Sequence, residues 1–214
     1  MILLGLFCLP VSRAIAGDGR LKAGLALPFE AKFNVLSRGS HFRPFQSVGL
    51  DAVLQVNERE EGALFFQLKA GFRDDFSSYP LGNHFGFHLS RYIIDINPQV
   101  MMSLRQGVTY VLGIGIDWAL AYGLSFSSSQ GSGNGDLDQI DAIAGNNRDA
   151  IPFVNTGLQV NITPHVFCDV HIKQTFLNYF GNDHSASFDI NNHQKTINLS
   201  YQPTYLGIEV GYFF

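Results

Sequence analysis

Hydrophobic and polar residues alternate along most of the chain with a period of two, which places successive side chains on opposite faces of a β-strand. The clearest stretch has Tyr110, Leu112, Ile114, Ile116, Trp118, Leu120 and Tyr122 on one face. Gly113, Gly115, Asp117, Ala119, Ala121 and Gly123 lie on the other. At the C-terminal end Leu206, Ile208, Val210, Tyr212 and Phe214 alternate with Tyr205, Gly207, Glu209, Gly211 and Phe213. Chain ends usually fray in polar sequence; here the alternation reaches Phe214. Residues 204–214, at ~3.3 Å per residue and a tilt of ~40°, rise roughly 28 Å, about the thickness of a bilayer's hydrocarbon core.

The same alternation predicts eight strands, over 21–29, 48–57, 64–73, 92–104, 110–123, 154–162, 166–173 and 204–214. The fourth is regular from Tyr92 onward, and its start is expected upstream, between Phe85 and Arg91. Pro98 lies on its apolar side, where it must sit at a bulge or lose a ladder hydrogen bond. A phase change near Gln202 and Pro203 predicts a second bulge. Connections alternate between long (30–46, 74–84, 124–150 and 181–194) and short (58–62, 105–107 and 163–165). Lipid cannot satisfy an open sheet edge, so membrane strands must close on themselves. The prediction is therefore an all-β fold: an eight-stranded antiparallel up-and-down transmembrane β-barrel with short periplasmic turns and long extracellular loops.

Charge and size decide which face is inside. The mixed face carries Asp51, Asp95, Asp117, Asp169 and Glu209 together with Lys22, Lys69, Arg73, Arg91 and Lys173, with His171 among them. Acids and bases on one face can neutralise each other in a closed lumen, and the glycines on that face suit a crowded interior. All of these except Lys22 make up the candidate lumen salt-bridge network. The opposite face is almost uncharged, and its Tyr92, Tyr110, Trp118, Tyr122, Tyr212 and Phe214 fall near strand ends, where aromatic girdles belong. Composition agrees with this arrangement. Only 15% of the 214 residues are charged, against ~25% in soluble domains, and no apolar run is long enough for a membrane helix. A net charge of −4 gives no reason to expect nucleic acid as a partner. The alternative with the same parity is a soluble, lipocalin-like barrel holding a ligand, with its apolar face turned inward.

Leu206, Ile208, Val210, Tyr212 and the terminal Phe214 resemble the C-terminal signal read by the barrel-assembly machinery of the bacterial outer membrane. Tyr92-Ile-Ile-Asp-Ile-Asn-Pro-Gln-Val-Met-Met-Ser-Leu104 followed by Tyr110-Val-Leu-Gly-Ile-Gly-Ile-Asp-Trp-Ala-Leu-Ala-Tyr122 resembles the middle of the PorT-like outer-membrane β-barrel domain family. Asn97 separates Ile96 from Pro98, where that family often has Ile-Pro. The resemblance implies an integral protein of the bacterial outer membrane, with outer-membrane lipid and the assembly machinery as partners. For some members of that family it also implies an envelope or secretion partner.

Residues 1–16 look like a secretory signal: Ile2 to Leu9 form an apolar core, and Ala14-Ile15-Ala16 precedes Gly17 as a cleavage site, although no Lys or Arg precedes that core. The expected mature barrel domain is 17–214. Cleavage removes Cys8 and leaves Cys168 with no intrachain partner; by parity it faces lipid. In 183–193 His184 lies beside Ser185, with Asp183, Ser187 and His193 near. Acyl transfer needs a serine within reach of a histidine that a carboxylate orients; a polar surface loop is the simpler reading, and a lipid hydrolase is the alternative. Asp136, Asp138 and Asp141 lack the register of an EF-hand calcium loop, so no metal and no cofactor is assigned. The expected function is non-enzymatic: a structural or partner-binding barrel, with a narrow channel opposed by the filled lumen.

Overall fold

A computed structural model describes residues 21–34, 41–56, 64–80, 85–128, 150–177, 185–190, 193–198 and 202–214. Ten strands form among them: β1 (Leu21–Asn34), β2 (His41–Val56), β3 (Leu64–Pro80), β4 (Phe85–Arg105), β5 (Val108–Ser128), β6 (Ala150–Asn161), β7 (Val166–Thr175), β8 (Ser185–Ile190), β9 (His193–Asn198) and β10 (Thr204–Phe213). Eight of these close into an antiparallel barrel in the order β1-β10-β7-β6-β5-β4-β3-β2. β8 and β9 pair with each other as a separate two-stranded sheet.

Closure depends on the C-terminal strand. β10 pairs with β1 from Gly24 opposite Phe213 to Phe33 opposite Thr204, and with β7 on its other edge, both without a register shift. The last turn fastens it. Thr163 Oγ1 accepts hydrogen bonds from the backbone N–H groups of His165 (3.2 Å) and Val166 (2.9 Å). The backbone N–H of Phe213 then donates to the His165 carbonyl at 2.7 Å, and that of Phe214 to Ala23 at 2.9 Å. The tight turn between β4 and β5 uses Gly107 at φ 76°, a conformation that a side chain disfavours.

The apolar face looks outward. Ile114, Leu64 and Phe66 are exposed by 67%, 65% and 62%, whereas Asp51, Lys32 and Asp169 inside the barrel are exposed by 0%. This is the inverse of a soluble protein, and it overturns the lipocalin-like alternative. Tyr92, Tyr110, Trp118, Tyr212 and Phe214 all lie on the exposed face. On β4, Tyr92 and Met102 (opposite Tyr110) are separated by about 25 Å at ordinary strand rise and tilt, which matches the apolar band of a membrane barrel.

Several expectations need correction. The connections expected at 30–46 and 74–84 are largely strand: β1 runs to Asn34, β2 begins at His41, β3 runs to Pro80 and β4 begins at Phe85. β5 continues to Ser128, and 181–194 contains β8 and the start of β9. The reason is physical. Above the bilayer both faces of a sheet can be wet, so ladders continue where hydrophobic alternation stops. No register shift interrupts β10, so the phase change at Gln202 and Pro203 marks its start and not a bulge. A shift does occur between Tyr92 and Ile93, which pair with Ala121 and Ala119 and leave Leu120 as the extra residue. At Pro98 the outcome is a lost ladder contact: β4 stays paired with β3 there, but its pairing with β5 lapses between Ile96 and Gln99. Residues 1–20, 129–149 and 178–184 lie outside the described residues, and with them the signal segment, Asp136 to Asp141, and His184.

A closed barrel of this kind resists detergent. Unboiled and boiled samples extracted into mild detergent should migrate differently on a gel. Identical mobility, with solubility in the absence of detergent, would contradict the architecture.

Candidate functional site

Inward-facing positions of the strands place seven buried acids in the lumen, namely Glu30, Asp51, Asp75, Asp95, Asp117, Asp169 and Glu209. Facing them are the buried bases Lys32, Lys69, Arg73, Arg91 and Lys173, and His171. A buried charge is tolerated only when it is paired and hydrogen-bonded.

The pairing runs across the barrel. Lys69 on β3 donates to Asp169 on β7 at 3.0 Å and to Glu209 on β10 at 2.9 Å. β3 and β7 stand four places apart in the ring of eight, so this contact crosses the full diameter. Lys173 on β7 returns the connection, donating to Asp95 on β4 at 2.8 Å and Asp117 on β5 at 2.7 Å. Its ammonium also lies 4.0 Å from the centre of the Phe153 ring, a favourable cation–π placement. Arg73 engages Asp51 through both terminal nitrogens, one of them at 2.9 Å, the bidentate geometry that arginine favours. His171 links Asp169 through Nδ1 at 3.1 Å and Glu30 through Nε2 at 3.4 Å. Farther along, Arg91 donates from Nε to Asp75 at 2.9 Å and from Nη2 to the Tyr205 hydroxyl at 3.0 Å. Lys32 pairs with the same Asp75 and donates to the Phe76 carbonyl at 3.0 Å.

Glycine makes this packing feasible. A Cβ at Gly207 would strike the His171 ring, and one at Gly71 would strike the Asp51 carboxylate. Apolar clusters complete the filling: Phe65, Met101 and Val111 in one, and Ala26, Val53, Phe167 and Phe213 in another.

The ten residues named from sequence as the lumen salt-bridge network lie in this buried set, each against at least one partner, whereas Lys22 on the same face is only half-buried. Glu30, Lys32 and Asp75 were missed because 30–46 and 74–84 were read as loops. Parity held the signal: Lys22, Gly24 and Ala26 lead to Glu30 and Lys32 by steps of two, and Arg73 leads to Asp75. Tyr205 was placed on the correct face without its partner. The residues named as an assembly signal, Leu206, Ile208, Val210, Tyr212 and Phe214, lie on the exposed outer face. Cys168 is half-buried there. Asp169, His171 and Glu209 bring ligand-type atoms within 4.8 Å of one another, but the Lys69 ammonium already bridges two of them. The side chains of 183–193 lie outside the described residues, so nothing is assigned to them.

An exterior of apolar side chains around a buried, self-paired ionic lumen has one compatible surrounding. Single-chain antiparallel barrels of this build occupy bacterial outer membranes. The chain is an integral outer-membrane β-barrel. No family model and no curated protein matches it. Among solved structures it is similar to Neisserial surface protein A (15% identity, TM-score 0.45, covering 91% of this chain and 97% of that one). It is also similar to Ail, the attachment invasion locus protein of Yersinia pestis (10%, TM-score 0.43, 91% and 97%), and to OprG from Pseudomonas aeruginosa (10%, TM-score 0.40, 91% and 94%). Identities and scores this low add nothing to what the strand register and the two faces establish.

Lys69→Met leaves two buried carboxylates without their shared cation. Removing one partner of a buried pair costs about 3–5 kcal/mol, so urea unfolding in lipid vesicles should show a loss of that size. A loss below about 1 kcal/mol, the range of an exposed pair, would mean that the pairing contributes little. Gly207→Ala should cost about 1–3 kcal/mol by crowding His171 in the same assay.

Proposed function

We propose that this barrel is non-enzymatic and acts as a structural or partner-binding protein of the outer membrane. The observation that carries this reading is the internal pairing of the lumen charges. Asp95, Asp117, Asp169 and Glu209 are held by lysines, and His171 is held between Asp169 and Glu30. Such groups hold the wall together, and a nucleophile beside an oriented base is not found among the described side chains. The filled lumen also argues against a steady conducting pathway.

The finer reading follows the sequence. The resemblance of 92–122 to PorT-like barrels points to an accessory role in secretion or envelope integrity. Its partner would be an envelope or secretion protein met through the extracellular connections. The exposed C-terminal face of β10 suits recognition by the barrel-assembly machinery, with residues 1–16 directing export. On this reading outer-membrane lipid is solvent and not substrate.

Overexpression should leave the cell's lipid profile unchanged, and purified protein should show no steady openings in planar bilayers. Hydrolysis of phospholipid or lipid A that disappears in His184→Ala or Ser185→Ala would overturn the non-enzymatic reading. Crosslinking from the outer connections should capture an envelope protein. Deleting Phe214 should reduce the folded, heat-modifiable fraction in the membrane; an undiminished fraction would remove the assembly-signal role.

A further inference from the structure

At the centre of the lumen lies a cavity of about 10 Å³, walled by Glu209, Lys69, Arg73, Lys173 and a set of amide side chains. Four acceptor oxygens in its lining, Asp95 Oδ1, Asn97 Oδ1, Asn155 Oδ1 and Glu209 Oε1, make no hydrogen bond within the described protein, and the last of them lies 2.9 Å from the Lys69 ammonium. Neither do the donors Gln99 Nε2 and Arg73 Nε. All six side chains are more than nine-tenths buried, with exposures of 2%, 7%, 3%, 1%, 2% and 5% for Asp95, Asn97, Asn155, Glu209, Gln99 and Arg73. The two asparagine oxygens converge. A Cβ built on Gly113 would meet both of them, with Gln99 Cγ alongside. Buried polar groups left unpaired are costly, and two acceptors aimed at one point need a shared donor.

The composition of the wall selects the ligand. A bare cation would face Lys69, Arg73 and Lys173; an anion would face Glu30, Asp95 and Glu209. The unmatched set contains both acceptors and donors, which an amphoteric molecule satisfies. A cavity of this size accommodates about one water molecule, and a buried water needs roughly 2–4 polar partners. We infer that the lumen centre is a binding site for a single structural water, donating to Asn97 Oδ1 and Asn155 Oδ1 and accepting from Gln99 Nε2.

The site has a consequence for the barrel. The ion pairs neutralise charge, but they leave the amides of β4 and β6 unmatched; a shared water joins those two strands across β5.

The test is a crystal structure of the full barrel in detergent or a lipidic phase, at a resolution that shows ordered water. The expected result is one peak within about 2.7–3.2 Å of both asparagine oxygens, without anomalous signal. Gly113→Ala, whose added methyl would push both asparagine oxygens from their positions, should lose the peak while the barrel remains closed. A direct hydrogen bond between Asn97 and Asn155 with no peak would overturn the inference. So would a peak with anomalous signal or with metal-like oxygen distances, which would mark a cation. Should Gly113→Ala fail to fold, Asn155→Leu provides the second variant, with the same loss expected. A peak that persists unmoved in the variant would also count against the site.

Discussion

The fold depends on ionic pairing across the lumen. Lys69 reaches from β3 to Asp169 on the opposite wall and to Glu209 on β10, and Lys173 reaches back from β7 to Asp95 and Asp117. Lipid outside the barrel gives no hydrophobic reason to bury apolar side chains inward. The interior must therefore be filled and neutralised by other means, and long charged side chains meeting at the axis do both. The backbone closes the sheet, and the ion pairs keep the closed sheet from being a hollow tube.

This arrangement explains features that look odd in isolation. Lysine and glutamate are buried completely while leucine and isoleucine are exposed. Glycine recurs on the inward face because the Asp51 carboxylate and the His171 ring need the volume over Gly71 and Gly207. The apolar clusters around Phe65 and around Phe167 complete the core, so the structure resembles a plugged wall more than a pore.

Much of the fold was legible because a strand has only two faces. Period two sorted Asp51, Lys69, Asp117 and Glu209 onto one side, and their charge then showed that this side is interior. Which lysine meets which carboxylate was not legible. That depends on strand order, tilt and stagger, which bring Lys69 to Asp169 across 100 positions of sequence. Strand ends were also hidden. Above the membrane β3, β4 and β5 continue as paired backbone without hydrophobic alternation, so hydrophobic pattern alone hides Asp75 although it follows Arg73 in phase. Pro98 was a legible irregularity and did interrupt pairing with β5; Leu120 was not legible as a bulge, because it keeps the apolar pattern of its neighbours. The assignment of a role beyond architecture rests on short, amphipathic motifs, and those specify location better than partner.

The central claim is that the apolar face meets lipid. Trp118 is the single tryptophan of the chain, it lies on that face, and it is 55% exposed. Its fluorescence can therefore report the claim directly, in vesicles whose acyl chains carry bromine. Strong quenching by brominated acyl chains, with little quenching by aqueous iodide, is the predicted result. Efficient iodide quenching with no effect of brominated lipid would place that face in water and contradict the account.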